Sequence, residues 1–99
     1  ENIPVVEVEA GLLRHPAIRD VAVVAYPDER LGERACAVLV TEGGAPFTLD
    51  DLRAHLDGLG MAKQYWPERV ELDTALPRTP SGKVQKFALR ERLRSSLAP

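Results

Sequence analysis

Lys83 is the residue of this chain best placed to do chemistry. It lies in the stretch LPRTPSGKVQK, residues 76–86. Pro77 and Pro80 fix φ on the approach, Ser81-Gly82 supplies a turn residue and then one that accepts positive φ, and an amphipathic stretch begins just after the lysine. A lysine delivered on such a turn can be aimed at a small target. Its compact ammonium on a flexible stem suits an anionic oxygen or phosphate better than it suits a planar carboxylate fork. Two familiar phosphate motifs do not account for the loop. A Walker pattern needs glycine five residues before the glycine of its Gly-Lys pair and Ser or Thr after the lysine, but Pro77 and Val84 stand there. A dinucleotide fingerprint needs three spaced glycines, and this loop has only Gly82.

The charge distribution agrees with an anionic target. From Arg78 to Arg94 six basic residues face Glu91 alone, a local balance of +5 that leaves −7 on the rest of a chain whose net charge is −2. Such a patch concentrates polyanions, although a basic helix is also an ordinary solvated face. An acidic total and no aromatic platform beside the basic residues argue against nucleic acid. No apolar run approaches the ~20 residues that span a bilayer, and no signal peptide is visible. Cys36 is the single cysteine, which excludes an internal disulfide and is compatible with a reducing cytoplasm. A domain of 99 residues is small for an enclosed substrate pocket.

The elements that must carry Lys83 follow from periodicity. Pro4 precedes a helix in which Val5, Val8 and Leu12 share a face with Leu13 beside them, and Pro16 stops it. Gly11 inside that helix points to close packing or to simple tolerance. The runs RDVAVVAY (19–26) and RACAVLVT (34–41) read as apolar strands covered on both faces, joined through residues 27–33 as an antiparallel hairpin with an irregular loop. Thr48, with Asp51 three residues on, predicts the N-cap of a second helix. Leu49, Leu52, Leu56 and Leu59 form its core stripe, and Gly58 and Gly60 close it. Residues 69–73 give a short third strand with Val70 and Leu72 inward. A last helix follows Lys83, with Val84, Phe87, Ala88, Leu89, Leu93 and Leu97 as its apolar surface. The expected fold is α+β, a two-layer sandwich in which a small sheet of about three strands carries packed helices. His15 and His55 have no partner pattern for metal or nucleophilic catalysis and are assigned to the scaffold. Trp66, beside Lys63 and Tyr65, has two readings, core cover or a flat surface for an adenine.

The loop at 76–86, with ENI at 1–3 and YPDERLGE at 26–33, resembles the C-terminal domain of the adenylate-forming superfamily of acyl-CoA synthetases, adenylation domains and luciferases. The resemblance covers residues 1–99 as one lid domain that begins just past the hinge. It implies a larger N-terminal domain that binds ATP, Mg²⁺ and a carboxylic acid, over which this domain closes to insert Lys83 as the catalytic cation of adenylate formation. It implies a second orientation in which Glu1, Asn2 and Ile3 face the path of CoA, with Trp66 and Lys86 as further cofactor contacts. ENIPVVEVE and MAKQYWPE look most like ligases for medium-chain or alicyclic acids. Two departures limit the transfer. Gln64-Tyr65 stands where the family has Tyr-Lys, and Pro4 comes one place early. Residues 79–83 are expected to be exposed and more mobile than the sheet. No internal salt bridge is expected on Lys83, and the basic residues after it are expected to lack counter-charge. An exposed essential amine is also a target for a protein lysine acetyltransferase. The competing class is an autonomous interaction domain docking through its basic helix.

Overall fold

The computed structural model describes residues 3–28, 30 and 32–97. Helix α1 (Val5–Leu13) is followed by strands β1 (Ile18–Asp28) and β2 (Gly32–Thr41), helix α2 (Leu49–Gly58), strand β3 (Arg69–Leu72) and helix α3 (Lys86–Leu97), with short 3-10 turns at Glu42–Gly44 and Lys63–Tyr65. This is the expected element order and an α+β fold. The sheet runs β1-β2-β3, with β1 antiparallel and β3 parallel to the central β2. The parallel step is possible because α2 makes the crossover. Among the described residues no helix is long and apolar enough to cross a membrane.

The near-continuous apolar character of β1 and β2 has a direct cause, because both faces of the hairpin are covered. On one face Val21, Val23, Ala35, Ala37 and Leu39 meet Val8 and Leu12 of α1 and Leu52 and Leu56 of α2. On the other, Ala22, Val24, Tyr26, Cys36 and Val38 meet Leu89 and Leu93 of α3 together with Leu76. Gly11 lets α1 lie close to α2, since a Cβ there would stand 3.3 Å from Leu59 Cδ1 and 3.4 Å from Met61 Cε. Close packing accompanies the glycine, and a side chain there would require the ends of Leu59 and Met61 to shift slightly.

Local signals account for the ends of α2. The Thr48 hydroxyl accepts from the Asp51 N–H at 3.1 Å and the Asp51 carboxylate accepts from the Thr48 N–H at 2.8 Å, a reciprocal capping box. At the other end Gly60 has φ +76°, its N–H donates to Asp57 and that of Met61 to Leu56, at 2.9 and 3.1 Å, which is the Schellman arrangement.

Four expectations need correction. Pairing of β1 with β2 runs out to Asp28 and Gly32, so most of the expected irregular loop belongs to the ladder. Arg34 steadies it by reaching Asp28 at 3.5 Å and Glu68 at 3.0 Å. Leu72 shares the face of Val70 but is 46% exposed, at the last position of a four-residue edge strand. Helix α3 starts at Lys86, and Val84 instead forms a bridge with Arg78. Phe87 is 71% exposed because it lies about 200° around the helix from the buried Leu89.

Two outcomes follow for stability and reactivity. The backbone N–H and hydroxyl of Thr48 hold the Asp51 carboxyl below the usual carboxylate range. A depressed folded value means the contribution is complete above the unfolded value of about 4 and fades as pH falls through the lower folded one. Thr48→Ala should cost about 1 kcal/mol in denaturant unfolding at neutral pH, and Asp51→Asn should flatten the acid limb of the stability profile. Burial in the α3 face pushes the Cys36 thiol up to about 12. Iodoacetamide should therefore leave Cys36 of the native protein unmodified at pH 8 and label it on unfolding, as followed by intact mass.

Candidate functional site

The segment carrying Lys83 is a closed hairpin. Thr79-Pro80-Ser81-Gly82 forms its turn, with the Gly82 N–H donating to the Thr79 carbonyl at 2.8 Å. Pro80 takes the second turn position, where its fixed φ is favourable. Gly82 adopts φ +96°, a conformation that favours glycine. The Thr79 N–H donates to the Lys83 carbonyl and the Gln85 N–H to the Pro77 carbonyl, both at 2.8 Å. The Thr79 hydroxyl accepts the Lys83 N–H at 3.1 Å and lies 2.9 Å from the Ser81 hydroxyl.

Out of this bonded backbone the Lys83 side chain projects into solvent. Among the described residues its ammonium has no ion pair or hydrogen bond, as expected, and Pro80 to Lys83 are exposed while Thr79 is half-buried. The density of backbone bonds gives the turn a defined shape.

The expectation that the basic residues beyond Lys83 lack counter-charge is overturned for Lys86 and Arg92 and holds for Arg90 among the described residues. Lys86 Nζ lies 2.9 Å from Glu9 Oε2, and Arg92 pairs with Asp73. The Glu9 oxygen also accepts the Val23 N–H at 2.8 Å. A carboxylate on the inner side of α1 thus holds α3 and an outward amide of β1 together. Lys83 and Lys86 share an open groove of about 520 Å³ with Glu9, Val21, Ala22 and Val84. Its rim carries two cations and one anion already committed to one of them.

Ile3 and Trp66 come together in a different groove. They line about 680 Å³ with Lys63, Gln64, Arg34 and Glu68 among its walls. Trp66 is half-buried, packs on the α1–α2 core and donates its indole N–H to the Met61 carbonyl at 3.0 Å. It therefore covers core and still presents part of its ring to the groove. Ile3 packs against the same core. Glu1 and Asn2 lie outside the described residues. The two grooves share no lining residue but are neighbours along β1, with Val21 and Ala22 in one and Val23 and Val24 in the other.

His15 and His55 are scaffold. His15 Nδ1 accepts the Ala17 N–H at 3.0 Å, His55 Nε2 lies 2.7 Å from the Gly11 carbonyl, and the rings meet edge-on with centroids 4.9 Å apart. Reading the residues did not single out Glu9, Asp20 or Arg78 as partners. Arg78 Nη2 reaches Asp20 Oδ2 at 2.5 Å across 58 positions of sequence, and only the folded hairpin brings them together.

The model of the AMP-binding enzyme C-terminal domain matches residues 7–83. A medium-chain fatty-acid–CoA ligase of Escherichia coli is 48% identical over 94 residues, which are 92% of this chain and 16% of the ligase. A salicyl-AMP ligase / salicyl-S-ArCP synthetase of Mycobacterium tuberculosis is 41% identical over 99 residues, all of this chain and 17% of that protein. The chain thus spans about a sixth of the length of these relatives. The apo structure of MbtA from Mycobacterium smegmatis superposes with a TM-score of 0.87 at 40% identity, over 93% of this chain and 17% of that one. The match runs through both helices of the larger core, all three strands and the hairpin up to its lysine, so the chain belongs to the AMP-binding enzyme C-terminal domain family, the C-terminal domain of adenylate-forming ligases.

Proposed function

We propose that this chain is the moving C-terminal domain of an acyl-CoA synthetase, in which Lys83 serves the adenylation half-reaction. The observation that carries the reading is an ammonium without a partner among the described residues, presented on a hairpin closed by backbone hydrogen bonds across its turn and its arms. Attack of a carboxylate on the α-phosphate of ATP brings two anions together and expels pyrophosphate. A cation placed between carboxylate and phosphate oxygens offsets their repulsion and the charge that builds on the bridging oxygens, by position and electrostatics and without a covalent step. The exposed Arg90 of α3, which has no ion pair among the described residues, adds to the field that a polyanion meets on approach. Mg²⁺ belongs with the N-terminal domain in this reading.

Transfer to CoA uses the second groove. The Ile3–Trp66 groove offers an apolar wall and the Lys63 cation to a nucleotide-bearing thiol, and Glu1 and Asn2, which stand beside Ile3 in the sequence, are assigned to the same step. Lys86 enters as a cofactor contact only by leaving Glu9. The similarity to the E. coli ligase supports a medium-chain acid and a CoA acceptor. A relative named for salicyl-S-ArCP favours a second acceptor in place of free CoA. Thioesterification by the full-length enzyme with CoA, against the same assay with a carrier protein, decides between them.

In that enzyme Lys83→Ala should lower adenylate formation, read by pyrophosphate exchange, by ~10²–10³, the scale of losing one preorganised charge-stabilising group. Thioester formation from supplied acyl-adenylate should survive. Equal losses in both steps would refute the role. Lys83→Arg should restore little, because a planar fork does not fill the place of a point charge. The exposed ammonium also supports regulation by a protein lysine acetyltransferase. Protein acetylated at Lys83, identified by mass spectrometry, should regain adenylation after deacetylase treatment; acetylated protein that adenylates at full rate ends that idea.

A further inference from the structure

The peptide between Gly82 and Lys83 is held on both sides by side chains. Its N–H donates to the Thr79 hydroxyl at 3.1 Å, and its carbonyl accepts from Arg78 Nη1 at 2.6 Å. The same guanidinium sends Nη2 to Asp20 Oδ2 at 2.5 Å. Asp20 is itself fixed, because Oδ1 accepts the Val21 N–H at 2.9 Å, beside an irregularity in the β1–β2 register. A continuous run of bonds therefore joins β1, at the edge of the sheet, to the peptide from which Lys83 departs.

We propose that Arg78 is a positioning residue for Lys83: braced on Asp20, it fixes the Gly82 carbonyl and thereby the direction in which the lysine leaves the hairpin. This rests on the adenylation role given to Lys83 above. Gly82 sets the need for such a brace. At φ +96° and without a side chain, it lets the following peptide plane turn more freely than any other residue would. Rotation of that plane swings the Cα–Cβ bond of Lys83 and moves an ammonium at the end of a four-carbon stem. Displacement by about 1 Å is enough to cost a catalytic group much of its effect. Both Arg78 and Asp20 are partly exposed, so their pairing contributes little to global stability. A planar guanidinium suits the task because two separate nitrogens at fixed spacing reach two acceptors, which the single nitrogen of a lysine does not reproduce.

The test uses the full-length enzyme and its two half-reactions. Arg78→Ala and Asp20→Asn should each lower kcat of adenylation about tenfold or more with KM for ATP and thermal midpoint unchanged, while thioester formation from supplied acyl-adenylate keeps its rate. Arg78→Lys should recover part of the loss. The two substitutions together should do no more than Arg78→Ala alone, and Arg78→Ala should add nothing once Lys83→Ala is present. A rise in KM for ATP at unchanged kcat would make Arg78 a direct ligand of the nucleotide and overturn the proposal. Further loss in the Lys83→Ala background would overturn it too, as would full activity of both Arg78→Ala and Asp20→Asn. Should Lys83→Ala itself adenylate normally, the role of the lysine fails and this inference with it. A dead Lys83→Ala beside a fully active Arg78→Ala defeats this inference alone.

Discussion

Burial of β2 on both faces is the constraint from which the rest of the domain follows. A central strand with Ala35, Ala37 and Leu39 toward one side and Cys36 and Val38 toward the other cannot be satisfied by helices on one side alone. Helices α1 and α2 close the first side. The second must be closed by α3, which comes last in the chain and is reached only through the segment that carries Lys83. Packing of Leu89 and Leu93 against the sheet therefore anchors the far end of the hairpin, and the buried Leu76 anchors the near end. Each anchored leucine contributes on the order of 1.5–3 kcal/mol of burial. Lys83 is strung between two points of the same core, which lets its loop stand in solvent without being loose.

Charge is distributed by the same logic. Arg78 meets Asp20, Lys86 meets Glu9 and Arg92 meets Asp73, so acids of α1, of β1 and of the end of β3 take up the cations of the hairpin and α3. What looks in the sequence like a basic segment opposed by an acidic remainder becomes, in three dimensions, a set of local pairs. Among the described residues Lys83 and Arg90 are the cations of this segment left without an ion pair. Partly exposed pairs of this kind are worth little individually, and their effect here is on geometry and on where unpaired charge remains.

Element types and the α+β class were legible because two periods are cleanly written, the leucine spacing of α2 and the apolar runs of β1 and β2. The Thr48–Asp51 box and the glycine at 60 were legible because capping depends on residues three or four apart. Leu72 and Phe87 misled because an apolar side chain reads as inward whatever covers it, and cover depends on where the strand ends or which way the helix is turned. The turn that presents Lys83 was legible in residues 76–86. The contacts that hold it were not, because Asp20–Arg78 and Glu9–Lys86 join residues 58 and 77 positions apart, and separation of that kind leaves no mark in local pattern.

Strand β1 lies at the border of the sheet, where amides directed away from β2 ordinarily offer a template to any extended chain. Two of them are already occupied from within, the Val21 N–H by Asp20 and the Val23 N–H by Glu9. Both carboxylates in turn face cations, Arg78 and Lys86. The middle of this border is closed to strand addition by the same two acids that brace Arg78 and Lys86, so protection of a free sheet edge and the shape of the hairpin draw on one set of bonds.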